Sequence, residues 1–411
     1  MNIKPMLETC DSPGLLPIHS AISNMLQQVT AVLESEQIEL EEALGRVLAK
    51  DLISNINVPP NDNSAMDGYA MRCEDLTDNK QLKLVGTALA GKPFKEKVLA
   101  GQCIRIMTGA VIPQGADSVV MQENTEVKGD SVIFNQIPKL GNSVRRAGED
   151  IQQGQVVVAK GTKLTPAYLA LIASVGIAEI SVIRQIKVAL IATGDELTIP
   201  GQPLSDGAIY ESNRYALTAL LNSFPVVVFD FGIVKDDKIA LKAVFEQAGS
   251  HCDLVLSCGG VSVGEADYVK EILDDLGSID FWKVAIKPGK PFAFGQLSHA
   301  WFCGLPGNPV SSYVTFEQLV TPVLQKLSGQ TYLPAAHFVA KAACLIRKRP
   351  GRADYQRGIF YRDEQGELWV KPNGKQGSGI MSSIANANCY MALEQDAGDV
   401  QEGDNINIQP F

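Results

Sequence analysis

The segment from residue 186 to residue 328 constrains the fold most, because short apolar runs alternate there with helical patterns. The apolar runs are Lys187–Ala192, Val226–Val234, Asp253–Ser257 and Ala300–Cys303. Helical spacing between and after them covers Ser212–Ser223, Asp237–Ala248, Ala266–Leu276 and Pro309–Leu327. Alternation at this length predicts a parallel sheet with helices on both faces. In such folds, ligands bind at the loops that follow the carboxyl ends of the strands.

The rest of the chain predicts β-rich modules around this α/β segment. Helical spacing appears within residues 20–50 and again at Pro166–Val175. Between them, the short strands are predicted at Gln81–Val85, Cys103–Met107 and Ser118–Gln122. Residues 331–411 predict a small β-barrel or sandwich. The fold class is therefore α/β plus β-rich modules, with a discontinuous domain at 20–57 and 151–185, an inserted domain at 58–150, an α/β domain at 186–330 and a C-terminal domain at 331–411.

Charge and composition exclude several function classes. The chain of 411 residues has 36 Lys and Arg against 46 Asp and Glu, a formal charge of −10. A nucleic-acid binder or an anionic-membrane binder needs a basic surface, so neither partner is expected. No apolar run reaches the ~18 residues of a membrane helix, and the first residues lack the core of a signal peptide. We therefore expect a cytoplasmic protein.

The cysteines and histidines argue against a transition-metal centre. The eight cysteines form no CxxC pair, and the four histidines show no ligand-like spacing. Zinc, haem and iron–sulfur sites are therefore disfavoured, and reduced cysteines in the core are expected. A metal would have to be held by carboxylates, which favours Mg²⁺.

Glycine-bearing loops follow the predicted strands of the α/β segment. They are Thr193–Leu197 (with Gly194), Cys258–Tyr268 (with Gly259, Gly260, Ser262 and Gly264), Ile286–Pro291, and Gly304–Pro309 (with Pro306, Gly307 and Asn308). Each loop alone is explained by ordinary turn chemistry. Together at one sheet edge they predict backbone N–H groups that bind an anionic ligand. The spacing GGxxxG lacks the dinucleotide fingerprint, so NAD chemistry is not supported.

Charged side chains also lie in or beside these loops. Lys287-Pro-Gly-Lys290 places two ammonium groups on one rigid turn, with Lys283 close before it, and could hold a multiply charged oxyanion. A solvated surface turn is the alternative. Acidic residues stand at the same loops: Asp195, Glu196, Asp236, Asp237, Glu265 and Asp267. A cation that bridges carboxylates and phosphates would use them, although Asp236 can equally be a helix N-cap.

Two polar segments outside the α/β region complete the set of candidates. Asn61–Ala70 is a polar loop that enters a strand, and Arg145–Asp150 is a charged turn. Composition alone does not separate a functional role from turn chemistry here.

These segments occur together with several others in a recognisable order. They read DNSAMDGYAMR, IRIMTGA, RRAGEDI, TGDEL, GGVSVGEADY, AIKPGKPFAFG, GLPGNPVSS and PGRADYQRG. From about residue 20 to the C-terminus, the chain resembles the molybdopterin molybdenumtransferase family, which includes MoeA and the E domain of gephyrin. The resemblance implies an elongated, four-domain homodimer with a central α/β molybdopterin-binding domain, an inserted β domain and a C-terminal β-barrel.

The resemblance also implies a reaction. The family inserts molybdate into adenylylated molybdopterin, releases AMP and forms molybdenum cofactor, with Mg²⁺ or a similar cation. It further implies an active site shared between subunits, while molybdopterin adenylyltransferase and cofactor-receiving proteins could be partners. Two alternatives stay open: a molybdopterin adenylyltransferase, which needs only the central segment, and a scaffold of the gephyrin type.

The family's functional positions are transferred one by one. The resemblance implies catalytic roles for Asp67, Thr108, Asp150, Asp236, Asp267 and Lys283. It implies molybdate or anion binding by Lys287, Lys290, Pro291, Arg352 and Ser378, and metal binding by Glu196, Asp67 and Asp267. Whether Asp67 and Asp267 position a metal or a water is left open. Asn61 replaces a common aromatic residue and Cys258 a common serine, which affects the expected fit of the substrate more than the reaction.

Overall fold

The structure is a computed structural model that describes residues 14–76, 80–259 and 268–411. Within these ranges, no helix has the length and apolar character needed to cross a bilayer.

The first helix, α1 (Ile18–Gln28), packs against the α/β core rather than against the strands that follow it. Its buried residues Ile18, Ala21 and Met25 share one face and belong to the apolar cluster of the central sheet. The strands β1 (Ser35–Glu39) and β2 (Leu52–Ile53) come next.

The helix that the spacing predicts in the second half of residues 20–50 does not form. Only one 3₁₀ turn forms, at Leu40–Glu42. The Leu48 N–H donates instead to the carbonyl of Thr162 at 3.0 Å, in a segment that returns much later in the chain. Pairing with that segment therefore overrides the local helical preference.

The inserted module, residues 58–150, is built around one six-stranded sheet. Its strands are β3 (Asn63–Ser64), β4 (Gly68–Met71), β5 (Gln81–Ala88), β6 (Gln102–Ile106), β7 (Ser118–Met121), β8 (Thr125–Lys128), β9 (Ser131–Phe134) and β10 (Val144–Arg145). The sheet order is β7-β4-β6-β5-β9-β8, and β3 pairs with β10 beside it. Successive side chains of β4 enter opposite apolar clusters, so both faces of the sheet are covered.

The chain then returns to its first strands. The elements are β11 (Val156–Val158), α2 (Pro166–Ser174) and β12 (Glu179–Ile183). β11 pairs with β2 and β12 pairs with β1, both antiparallel. These pairs enclose a small core that includes Leu48, Ile172 and Val182. Residues 58–150 are therefore inserted between the two sequence segments that form this small unit.

The α/β region follows, and most of its elements agree with the sequence pattern. They are β13 (Ile186–Thr193), β14 (Leu197–Thr198), β15 (Ile209–Tyr210), α3 (Asn213–Leu221), β16 (Val226–Val234), α4 (Lys238–His251), β17 (Leu254–Cys258), α5 (Tyr268–Leu276), β18 (Gly277–Lys283), β19 (Ile286–Lys287), β20 (Pro291–Leu297), β21 (Ala300–Leu305), α6 (Pro309–Thr315), a π-helical turn (Phe316–Val320) and α7 (Thr321–Leu327). The main sheet has the order β16-β13-β17-β21-β20-β18.

This sheet is mixed rather than wholly parallel. β16, β13, β17 and β21 are parallel, but β20 is antiparallel to both β21 and β18. Only residues 298–299 connect β20 to β21, and so short a link permits a hairpin but no crossover. Two antiparallel steps make β18 parallel to β21, so Lys283 ends at the same edge as the other parallel strands.

The C-terminal region closes into a five-stranded β-barrel, as the family resemblance implies. Its elements are β22 (Phe338–Ala342), β23 (Ala353–Arg362), β24 (Leu368–Pro372), α8 (Ser382–Ala385), β25 (Cys389–Leu393) and β26 (Asn405–Pro410). The strand order β23-β24-β22-β26-β25 is closed by pairing of β25 with β23. The short strand β19 of the α/β region adds to this barrel beside β23. The α/β region and the barrel therefore share backbone hydrogen bonds.

Candidate functional site

The loops after β13, β17 and β21 lie together, as the sequence predicts. The Gly194 N–H donates to the carbonyl of Val234 at 3.4 Å, and the Gly259 N–H donates to that of Leu305 at 3.1 Å. Gly259 has φ +96°, and a Cβ there would lie 2.8 Å from the carbonyl oxygen of Thr193. Only glycine fits this close approach of two backbones. We call this cluster of strand-end loops the loop edge.

The loop after β21 completes the loop edge. Pro306 is buried, whereas Gly307 and Asn308 are exposed. The side-chain amide of Asn213, at the start of α3, donates to the carbonyl of Gly307 at 2.8 Å. This hydrogen bond connects the loop to the start of α3. Three expected ligand-binding positions therefore stand next to Gly194 and Gly259.

Carboxylates collect at one end of the loop edge. The Asp236 N–H donates to Oδ1 of Asp195 at 3.3 Å. Partial burial raises the pKa of Asp236, and the negative charges of Asp195 and Glu196 raise it further. Asp236 is not the N-cap of α4, because Asp237 takes that role by accepting the Ala240 N–H at 2.8 Å. The N-cap role that the sequence left open for Asp236 therefore belongs to Asp237.

The expected metal ligands are not assembled in the part of the chain that the structure describes. No group of three or more His, Cys, Asp or Glu residues is placed there to hold a metal ion. Glu196 lies at the loop edge and Asp67 in the inserted module, while Asp267 lies outside the described residues. The repelling carboxylates around Asp236 have the oxygen chemistry that Mg²⁺ prefers, so the donor type fits although the ligand set is incomplete.

The turn Lys287–Lys290, which we call the cationic turn, joins the loop edge to the barrel. In β19, Lys287 stands opposite Asp354 of β23. Its Nζ donates to Oδ2 of Asp354 at 2.8 Å, and the side chain of Asp354 is only 3% exposed while that of Lys287 is 44% exposed. One face of this lysine is therefore anchored in the interior and the other is open.

The rest of the cationic turn rests on α6. Gly289 has φ +112°, and a Cβ there would clash with the hydroxyl of Thr315. Lys283 pairs with Pro291 across the hairpin, and the Val284 N–H donates to the carbonyl of Lys290 at 2.8 Å. Lys283 and Lys290 are exposed. Three ammonium groups thus belong to one short stretch of backbone.

Two barrel segments adjoin the same elements. Arg352 immediately precedes Ala353, whose N–H donates to the carbonyl of Ala285 at 2.8 Å just before the cationic turn. The carbonyl of Ser378 accepts the Val310 N–H at 3.0 Å, in the first turn of α6. The expected anion-binding positions Lys287, Lys290, Pro291, Arg352 and Ser378 therefore lie on adjoining segments where the α/β region meets the barrel.

A second group of expected site residues lies in the inserted module. Oδ1 of Asp67 accepts the Thr108 N–H at 2.7 Å and the Thr108 hydroxyl at 2.8 Å. These two hydrogen bonds lower the pKa of Asp67, the backbone one most. Both residues are exposed. Thr108 therefore holds Asp67 as a solvent-facing carboxylate.

The two polar segments of this module are also joined. Asp62 accepts the Arg146 guanidinium at 2.6 Å and the Ala147 N–H at 2.8 Å. Asp150 follows closely and is exposed. Among the described residues, no hydrogen bond or ion pair links Asp67, Thr108 or Asp150 to the loop edge. The expected site thus occurs as two groups, and Gly260, Ser262, Gly264 and Asp267 fall outside the described residues.

Sequence reasoning missed three residues that organise these groups. Asn213 holds the Gly307 loop, and Asp354 holds Lys287. Arg357 is 1% exposed and donates to the Ser383 hydroxyl at 3.0 Å and to the Gly377 carbonyl at 3.3 Å, beside Ser378. Asp354 and Arg357 both belong to the motif PGRADYQRG. Their charge inside an otherwise buried strand was the available signal, because buried charges require partners.

Family comparisons agree with the order of these regions along the chain. The model "MoeA N-terminal region (domain I and II)" matches residues 16–176. "Probable molybdopterin binding domain" matches residues 189–326, and "MoeA C-terminal region (domain IV)" matches residues 339–411. The fold and domain order are thus those of an enzyme class of molybdenum cofactor biosynthesis.

Relatives extend over nearly the whole chain. A molybdopterin molybdenumtransferase of Haemophilus influenzae is 47% identical and covers 97% of this chain and 99% of its own. That of Nostoc sp. is 38% identical over 98% and 95% of the two chains. The crystal structure of a molybdopterin biosynthesis MoeA protein from Pyrococcus horikoshii OT3 has a TM-score of 0.84 at 30% identity, covering 97% and 100%. The chain belongs to the MoeA family of molybdopterin molybdenumtransferases, and it is a transferase.

These full-length matches do not favour the two alternative functions. An adenylyltransferase would need only the central segment, whereas the relatives share the flanking modules as well.

Proposed function

We propose that the chain inserts molybdate into adenylylated molybdopterin, releases AMP and forms molybdenum cofactor. The observation that supports this most is the meeting of the loop edge, the cationic turn and two barrel loops at one place. The names of the full-length relatives are consistent with it.

The loop edge suits the phosphates of the substrate. Adenylylated molybdopterin contains a pyrophosphate between the pterin and AMP. Gly194, Gly259 and Gly307 carry no side chain, so an anion could approach the loop backbone closely. The N–H groups of Gly194 and Gly259 already donate to backbone carbonyls, so the N–H donors to the anion would come from neighbouring loop residues. We assign pterin and phosphate binding to these loops, together with Gly260, Ser262, Gly264, Pro306 and Asn308.

The cationic turn suits molybdate. Molybdate is a tetrahedral dianion, and charge-assisted hydrogen bonds from ammonium, guanidinium and hydroxyl groups are the strongest way to bind it. Lys287, Lys290, Arg352 and Ser378 offer these groups, and Pro291 begins β20 directly after the turn. These cations gather where the α/β region meets the barrel, which we call the joint, although the chain as a whole has a formal charge of −10.

The chemistry is mainly positioning and charge stabilisation. Cleavage of the phosphoanhydride needs no nucleophile from the protein, because water can add to phosphorus as the P–O–P bond breaks, which gives AMP and the pterin phosphate. Donors aimed at the developing charge lower the barrier of this step. We assign to Lys283 the stabilisation of charge on the phosphates, and to Asp236 the acceptance of the proton that the attacking water loses. A divalent cation such as Mg²⁺, when bound, would supply further positive charge, with Glu196 and Asp267 as candidate ligands and Asp67 as a ligand or water-positioning group.

We further propose that the protein is a cytoplasmic homodimer with shared active sites. The exposed carboxylate of Asp67 would complete the loop edge of the partner subunit, together with Thr108 and Asp150. Exposed apolar side chains on β15, α3 and the edge strand β16 support a subunit contact: Ile209, Tyr210, Tyr215, Val227 and Phe229 are each 41–55% exposed. The ion pair between Arg214 and Asp230 joins α3 to β16. Burial of such a patch is a common basis for two-fold dimers.

AMP release is the direct test. The purified protein is incubated with adenylylated molybdopterin, with and without molybdate, and AMP and molybdenum cofactor are measured. We expect both products only when molybdate is present. Production of adenylylated molybdopterin from ATP and molybdopterin, without molybdate-dependent AMP release, would assign the chain to the adenylyltransferase reaction instead.

A further inference from the structure

We propose that Asp354 is a positioning residue for molybdate binding, which it supports by holding the ammonium of Lys287 in one place. This inference rests on the proposed function, since it concerns the same anion pocket. The side chain of Asp354 is only 3% exposed, so in this proposal it acts through the lysine.

The geometry of the pair is fixed by backbone pairing. Ile286 and Lys287 stand opposite Ala353 and Asp354 in parallel strands. The short strand β19 is thereby aligned with the first residues of β23. The register places Nζ of Lys287 2.8 Å from Oδ2 of Asp354. A shift by one residue would turn one of the two side chains to the opposite face.

Burial makes the partnership obligatory. Asp354 is 2% exposed as a residue, so its carboxylate has little contact with water. A buried carboxylate is costly unless it is paired and hydrogen-bonded. If the ammonium of Lys287 rotated away, that charge would lose its partner. The lysine, with a side chain that is 44% exposed, is therefore held more firmly than its exposure suggests.

The neighbouring polar groups do not replace the lysine. Gln356 donates to Asp354 at 3.0 Å but carries no charge. Lys348 is buried nearby, yet its ammonium donates to the backbone carbonyls of Arg349, Gln395 and Ala397 at 3.2, 3.0 and 2.9 Å. Among the described residues, Lys287 is thus the cation in hydrogen-bond contact with Asp354.

The carboxylate of Asp354 could affect molybdate binding in two opposite ways. An acid beside an anion pocket weakens the positive potential, so a purely electrostatic view predicts tighter molybdate binding when the acid is neutralised. Positioning predicts the opposite, because an unanchored lysine samples many rotamers and must lose that freedom on binding. The two views give opposite signs for one substitution.

A double-mutant cycle tests the proposal with the full-length protein. Asp354→Asn, Lys287→Ala and the double variant are compared by AMP release over a range of molybdate concentrations. We expect Asp354→Asn to raise the half-saturating molybdate concentration about three- to tenfold, with kcat at saturation within about twofold of wild type. In the background of Lys287→Ala, the same change should have an effect below about twofold.

Asp363→Asn is the matched control. Asp363 is a carboxylate just after β23 that accepts a hydrogen bond from the indole of Trp369 at 2.8 Å, away from the cationic turn. Its neutralisation should leave molybdate dependence unchanged. A similar rise in this variant would reduce the Asp354 effect to a general disturbance of the barrel and overturn the proposal.

Other outcomes are equally decisive. The positioning role would be overturned if Asp354→Asn bound molybdate more tightly or left the half-saturating molybdate concentration unchanged. It would also be overturned if the two substitutions had independent, multiplicative effects on that concentration in the double variant. If Asp354→Asn does not fold, Asp354→Glu replaces it in both backgrounds, since glutamate keeps the charge and displaces it by one methylene. An equal effect of Asp354→Glu with and without Lys287 would again overturn the positioning role. A wild type without molybdate-dependent AMP release would overturn the proposed function instead, so the two failures are distinguishable.

Discussion

The two groups of candidate site residues are held in opposite ways. At the joint of the α/β region and the barrel, buried charges anchor the site: Asp354 holds Lys287, and Arg357 holds the loop beside Ser378. In the inserted module, Asp67 is exposed and is held by the backbone N–H and hydroxyl of a single residue, Thr108.

This difference indicates a division of labour. Buried polar networks are expensive to rearrange, so we expect the joint to fix where the proposed anionic substrates bind. An exposed carboxylate held by one neighbour can be presented to a surface outside its own module at little cost. We infer that the inserted module supplies reactive groups to a pocket that is already formed elsewhere.

The largest effect is expected from Lys287→Ala. Loss of one charged donor from the anion pocket should raise the molybdate requirement roughly ten- to a hundredfold, or about 1.5–3 kcal/mol, and should affect pterin binding less. AMP release is measured against molybdate and against adenylylated molybdopterin separately. Unchanged molybdate dependence with weakened pterin binding would reassign this lysine to the pterin phosphate.

Glu317→Gln tests how rigid the joint is. The Tyr390 hydroxyl of β25 donates to Glu317 in the π-helical turn, and Gln318 donates to Gln409 of β26 at 3.1 Å beside it. Burial raises the pKa of Glu317 to about 7 from its ordinary 4.5. The folded protein therefore holds this proton more tightly than the unfolded chain. The group's contribution to the free energy of unfolding is fully present below about pH 4.5 and is lost as the pH rises to about 7.

The glutamine variant removes this dependence. At pH 8 it should be more stable than wild type by on the order of 2 kcal/mol, with a smaller difference near pH 5, because the amide stays neutral at both. Thermal unfolding at several pH values measures this, and Glu402→Gln on the exposed barrel surface is the control. Equal stabilities of wild type and variant across the range would mean that Glu317 is charged in the joint.

Glu196→Gln addresses the acidic end of the loop edge. The change keeps the shape and removes the charge, so we expect slower AMP release and an Mg²⁺ optimum raised by roughly tenfold. Glu246→Gln, at an exposed position of α4, should match wild type. If Glu196→Gln also shows wild-type metal dependence, Glu196 serves the loop structure and the cation binds elsewhere.

Thr108→Val is expected to have the smallest effect. It removes the hydroxyl donor to Asp67 but keeps the backbone N–H, so the carboxylate stays partly oriented and its pKa rises toward the ordinary value. AMP release should fall about two- to fivefold at neutral pH. A loss as large as that of Asp67→Asn would show that the hydroxyl has its own role in the reaction.

The sequence predicted the loop edge and three strands of the inserted module better than it predicted β20 or the segment at Leu40–Leu48. Strand alternation and loop glycines placed Gly194, Gly259 and Gly307 at one edge, because parallel strands end together by geometry. The antiparallel β20 was missed, since a two-residue link is invisible to an alternation pattern. The segment at Leu40–Leu48 was expected as a helix because its pairing partner lies more than a hundred residues later.

The buried charged residues Asp354 and Arg357 were harder to predict as parts of the site than the loops. Asp354 and Arg357 were visible as charges in a quoted motif, but their partners depend on the register between β19 and β23 and on the loop before α8. Such contacts are tertiary and have no local pattern. The same holds for Thr108 and Asp67, which are brought together by the pairing of β4 with β6.

Subunit complementation tests most directly whether the two groups form one site from two chains. With molybdate near the half-saturating concentration of wild type, Asp67→Asn and Lys287→Ala chains are each expected to have little activity alone, because every site lacks one group. In a mixed dimer, one site has both defects and the other has neither, so random association of equal amounts should restore roughly a quarter of wild-type AMP release. Absence of recovery, with mixed dimers confirmed by differential tags, would mean that each site is built within one chain and would contradict the account.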